Sequence, residues 1–147
     1  MQTVSFLAIL GTFIASTRVA AMPTTNETSI IWTHDEFLEW VRTTDSELTF
    51  IGEPIAASLA KRQETVQVVY CSLRLGDVCG GPCTVYNGGA ICLDAPDTNC
   101  LRATSNVAFC SSSGCGGDCN QLETCGTRLN NGFCWTPDTA SIAVPFV

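Results

Sequence analysis

The sequence predicts a small, disulfide-rich, mostly β fold, made of two hairpin-containing halves with five disulfides and preceded by a signal peptide and a short α+β propeptide. Three observations carry this. All ten cysteines lie after residue 62, the only lysine stands against an arginine at Lys61-Arg62 where the composition changes, and a Cys-Gly-Gly-x-Cys element occurs twice. A short cysteine-dense chain buries too little apolar surface to fold on that alone, and cross-links compensate by restricting the unfolded ensemble.

Taken in order, Val4 to Ala15 is an apolar run of roughly a dozen residues, too short to span a bilayer and suited to the core of a secretory signal. Val19 and Ala21 meet the small-residue rule, which places the signal at residues 1–21. The propeptide is expected at residues 22–62. Within it, Thr33 and Glu36 form a capping box, Trp32 and Phe37 are placed as its hydrophobic staple, and a helix is expected over His34 to Arg42. Glu47 to Gly52 reads as a strand stopped by Gly52 and Pro54. Asn26 heads the one N-glycosylation sequon, Asn26-Glu27-Thr28. A removable segment with a helix cap and an apolar face invites the expectation that it docks on the remainder of the chain, which is the nearest partner for that face.

The mature cysteine-rich domain is assigned to residues 63–147. A β-branched run, Thr65 to Tyr70, leads into Cys71, and Cys79, Cys83, Cys92, Cys100, Cys110, Cys115, Cys119, Cys125 and Cys134 follow. Ten cysteines allow on the order of a thousand pairings, so connectivity stays open at this point. Cys79-Gly80-Gly81-Pro82-Cys83 recurs as Cys115-Gly116-Gly117-Asp118-Cys119. Asn87-Gly88 and Asn131-Gly132 favour tight hairpin turns, so hairpins are expected to join Thr84–Tyr86 to Ala90–Leu93 and Thr127–Asn130 to Phe133–Thr136.

Charge and composition exclude several functions. After residue 62 there are three arginines (Arg74, Arg102, Arg128) against seven carboxylates, and no His or Lys. An acidic surface disfavours nucleic acid and electrostatic membrane binding, and no stable membrane anchor is expected. Without His or Lys, a Ser or Cys nucleophile has no ordinary base. The carboxylate pairs Asp94 with Asp97 and Asp118 with Glu123 read as loop charges, so no enzyme is expected. Zinc is not expected at the three-residue cysteine gaps, since an exported chain favours disulfides and the spacing lacks His partners; no metal or cofactor is assigned. Arg74 and Arg102, each between cysteines, are candidate binding loops of the kind with which small inhibitors fill a protease pocket. Trp135, beside Cys134, is expected to pack on a disulfide.

With its signal segment, its leader ending Leu59-Ala60-Lys61-Arg62 and its compact cysteine-rich product, the chain resembles the fungal small secreted cysteine-rich proteins matured by a Kex2-type protease. The resemblance implies export to the extracellular space and cleavage by a Kex2-like protease. It also implies a non-enzymatic effector- or toxin-like product that binds an extracellular or host target. The alternatives are a small protease inhibitor and a cell-wall or glycan-associated structural protein.

Overall fold

The computed structural model describes residues 29–56 and 65–145. One helix, α1 (His34–Thr43), precedes seven strands: β1 (Glu47–Gly52), β2 (Val66–Leu75), β3 (Val78–Gly88), β4 (Ile91–Ala103), β5 (Ala108–Ser112), β6 (Gly116–Gln121) and β7 (Cys134–Val144). All seven join one sheet in the order β1-β3-β2-β4-β7-β5-β6. Only β1, at one edge, runs parallel to its neighbour, β3.

The local signals before β2 hold. Thr33 accepts the Glu36 N–H at 3.2 Å, and the Glu36 carboxylate accepts the Thr33 N–H at 2.7 Å, so two orphan donors of α1 are satisfied reciprocally. Trp32 and Phe37 meet with ring centroids 6.1 Å apart, as a staple requires. β1 spans the expected residues and stops at Gly52, whose φ of +86° and close approach to the Asn87 carbonyl leave no room for a Cβ.

From β2 onward the chain repeats itself. β2, β3 and β4 lie in the order β3-β2-β4, and β5, β6 and β7 lie in the order β6-β5-β7, with the two triplets joined by the antiparallel β4–β7 pair. The Cys-Gly-Gly-x-Cys elements occupy equivalent places. Cys71 faces Cys83 and Cys110 faces Cys119, each pair disulfide-bonded with Cα atoms 4.1 Å apart. Two residues further on, Leu73 faces Gly80 and Ser112 faces Gly116, so each motif inserts one extra residue as a β-bulge. The glycine that makes it, Gly81 or Gly117, has φ of +78° or +73°.

The remaining bridges are Cys79–Cys100, Cys92–Cys115 and Cys125–Cys134, which leaves no free cysteine. Cys79 and Cys115, the first cysteines of the two motifs, both reach β4. The register makes Ser141 on β7 the counterpart of Cys100 on β4. Ser141 Oγ accepts the Cys115 N–H at 2.9 Å and donates to the Ser112 carbonyl, so a hydrogen-bonded serine stands where the first triplet has a disulfide.

The expected turn at Asn87-Gly88 is corrected. β3 and β4 do not pair; β2 lies between them, and the first hairpin turns instead at Gly76–Asp77. Asn87 is a buried residue near the end of β3, held there by side-chain hydrogen bonds that outweigh its turn preference. The Asn131-Gly132 turn does form, with φ of +57° and +69°, but its arms meet in a single bridge, Arg128 with Cys134.

Candidate functional site

β2 is buried along both faces from Val66 to Cys71. Val66, Val68 and Tyr70 join a core with Leu93, Leu101, Val107, Leu122 and Ile142. The alternate residues Val69 and Cys71 point to a second core with Cys83, Val85, Cys100, Leu129 and Phe133. That second core is completed by Trp32, Phe37 and Trp40, from the segment before the Lys61-Arg62 pair. Phe37 is fully buried, and the Phe133 ring lies 5.4 Å from Trp32 and 5.3 Å from Trp40. The Trp32–Phe133 pair is edge-on, a geometry in which rings attract beyond their burial alone. Segment 29–56 therefore covers one face of the sheet with α1 and one edge with β1, and Ile31 bridges to Ala103 at the end of β4.

Arg102 is the charged centre of this covered face. It lies on β4, only 7% exposed, with its guanidinium 4.6 Å from the Trp32 ring. Its Nη1 donates to the Asn131 carbonyl, presented by the positive-φ turn, and a Cβ on Gly132 would collide with the guanidinium. Its buried Nε–H has no partner among the described residues. Burial pulls its pKa down to about 10, with Arg128 pushing the same way and the Glu36 carboxylate opposing.

A polar chain fastens the same segment further along. Gln67 donates to Asn87 Oδ1 at 2.7 Å and meets His34 Nδ1 at 3.2 Å, while Asn87 Nδ2 donates to the Glu53 carbonyl at 2.9 Å. The buried amide pair of β2 and β3 thus holds the 29–56 segment at both of its ends.

The other nominated residues lie apart from this face. Arg74 is on β2 near the hairpin turn; its Nε donates to the Gly76 carbonyl at 2.7 Å and its guanidinium lies 4.5 Å from the Trp135 ring. The structure replaces the loop expected around Arg102 with strand β4, and buries that side chain because Trp32 lies over it. Trp135 is 39% exposed and stacks under Arg74. Asp97 adopts φ of +58° within the irregular part of β4, and the Asp118 and Glu123 backbone N–H groups donate to Ser111 Oγ and Asn106 Oδ1. An open cleft of about 1200 Å³ reaches the Arg102 face itself: Trp32, Glu36 and Arg102 line it together with Leu73, Leu75 and Val78 of the β2–β3 hairpin. The signal region 1–21, Asn26 and the Lys61-Arg62 pair lie outside the described residues.

The sequence did not single out Phe133, Asn131 and Gly132 as one site with Arg102. The Asn-Gly step was the available signal, since its left-handed backbone is what turns the Asn131 carbonyl toward β4. Among the described residues, no helix is long and apolar enough to cross a membrane. No protein-family model, curated protein or solved structure matches the chain.

Proposed function

We propose that the chain is exported, cut after Arg62 by a Kex2-like protease, and acts as a non-enzymatic extracellular binding protein of the effector or toxin type. Segment 29–56 serves as the cover of its binding face. The observation that carries this reading is the second core. A segment lying before the dibasic pair supplies Trp32, Phe37 and Trp40 to a face whose other half comes from the disulfide-bonded part of the chain, Val69 and Val85 on strands and Leu129 and Phe133 in the connection before β7. Five disulfides support an oxidising, extracellular destination. The cover has two roles on this reading: it completes the core while the bridges form, and it keeps an apolar face from water until a partner displaces it. The inhibitor alternative requires an arginine free to enter a protease pocket, and Arg74 offers one only by leaving Trp135. Intact mass and N-terminal sequencing of the secreted material test the reading. A cysteine-rich chain beginning at Gln63 is expected, and secreted material consisting only of chain uncut at Arg62 defeats it.

A further inference from the structure

We propose that Arg102 anchors a peptide-binding groove whose ligand is an acidic peptide carrying an aromatic ring just before a helix start and a carboxylate four residues on. This rests on the masking role proposed above and names the partner of the same face.

The internal repeat separates what the scaffold needs from what it does not. Val69 faces Arg102 across β2–β4, and Ala108 faces Ala143 across β5–β7, so Ala143 is the counterpart of Arg102. A β-triplet of this construction closes with a methyl at that position. Placing a guanidinium there costs desolvation, which a scaffold role does not repay. The surroundings are nevertheless built for it: the Asn131 carbonyl accepts from Nη1, and Gly132 leaves the space that a Cβ would take. The groove thus holds the cation in place from below and leaves Nε–H without an acceptor among the described residues.

What closes the site from above belongs to segment 29–56. Trp32 lies against the guanidinium, and Glu36, four residues on, lines the same cleft as Arg102, its carboxylate held by Thr33 where its field favours the cation. That segment carries six acidic side chains and one basic one. The cover therefore meets the buried cation with opposite charge and an aromatic face, and a ligand that replaces it must offer the same two groups. A planar guanidinium with a free N–H edge is suited to a carboxylate, and its face to a ring. The β3 edge vacated by β1 accepts the extended part of such a peptide by strand addition.

The test uses the folded full chain, cut after Arg62 by a dibasic-specific protease and kept under native conditions. Fluorescent peptide 29–56 is added and its exchange followed by anisotropy. Exchange is expected; its failure means that the face does not open, and overturns both the masking role and the ligand assignment. Once exchange is seen, a designed peptide with a Trp just before an N-capped helix and a Glu four residues on, otherwise unrelated to 29–56, is used as competitor, beside a version with Lys in place of that Glu. The Glu peptide should compete about tenfold better, the effect of one charge-assisted hydrogen bond. Equal competition by the two, or none by either, overturns the acidic-aromatic assignment and leaves the masking role standing. In Arg102→Gln the preference for Glu over Lys should vanish while peptide 29–56 still exchanges, and a retained preference also overturns the assignment. If Arg102→Gln does not form its five disulfides, the Glu-to-Lys comparison on the native protein decides alone.

Discussion

Trp32 and Arg102, one from the segment before the dibasic pair and one from the centre of the cysteine-rich sheet, stack with the guanidinium 4.6 Å from the indole ring. The contact joins the two parts of the chain in one core, since each buries a group that the other would leave exposed. Replacing Trp32 by Ala should therefore cost about 3–5 kcal/mol, the usual range for truncating a buried large ring. Denaturant unfolding with the bridges intact measures it. Amide exchange should show α1 opening before β4 and β7; uniform loss across the sheet would argue against a separable cover.

Cleavage after Arg62 should not by itself release the segment. Phe37, Trp32 and Trp40 are buried, each worth about 1.5–3 kcal/mol or more, and β1 adds a six-residue ladder to β3. After cutting, the two pieces should co-elute in native gel filtration and separate in denaturant. Immediate separation on cutting would show the interface to be weak.

Acid should loosen the cover. The hydrogen bond from the Thr33 backbone holds the Glu36 carboxyl below its ordinary 4.5, against a smaller opposing effect of burial. A carboxylate with a depressed folded pKa contributes stability that is present above 4.5 and lost as the pH falls through the folded value. The helix signal should decline in that range, and Glu36→Gln should remove part of the decline. An unchanged acid profile in Glu36→Gln would assign the transition to other carboxylates.

Gly132→Ala should destabilise by about 1 kcal/mol or more, because φ of +69° is unfavourable for alanine and its Cβ meets the Arg102 guanidinium. Gly89→Ala is the control: nothing lies within 4 Å of its Cβ and its φ is not in the left-handed region. Thermal melts of the two variants should differ clearly, with Gly89→Ala near the parent.

Peptide mapping without reduction should recover Cys71–Cys83, Cys79–Cys100, Cys92–Cys115, Cys110–Cys119 and Cys125–Cys134, with no thiol labelled beforehand. Any labelled thiol in the native monomer, or Cys79 joined to Cys83, would contradict the sheet register.

Local chemistry was legible in the sequence wherever it was also decisive. Thr33, Glu36 and the Trp32–Phe37 staple mark α1, and Gly52 with Pro54 ends β1, because caps and stops act within a few residues. Cys-Gly-Gly-x-Cys announced a repeat, and the bulge shows why the second glycine is needed. The strand order was not legible. Asn87-Gly88 carries a genuine turn preference, yet Gln67 and Glu53, distant in sequence, hold Asn87 in a strand. Arg102 sits between two cysteines like a loop residue; only the pairing of β4 with β2 and β7 reveals it as a strand residue, and only Trp32 explains its burial. A second reading of the repeat was available in the aromatic-Cys-Ser triplets, Tyr70-Cys71-Ser72 and Phe109-Cys110-Ser111, which extend the likeness to β2 and β5.

The two edges of the sheet are unlike, and were β1 displaced this would govern how copies adhere. β6 ends the sheet as a short edge, Gly116–Gln121, bulged and carrying Asp118, Asn120 and Gln121, which is a poor template for strand addition. The β3 edge, from Pro82 to Asn87, is straight enough to hold a six-residue ladder. An uncapped molecule therefore has one cohesive end and one blunt end. Such a particle cannot grow head to tail into a fibre; joined through its cohesive end it closes as a two-fold pair and stops.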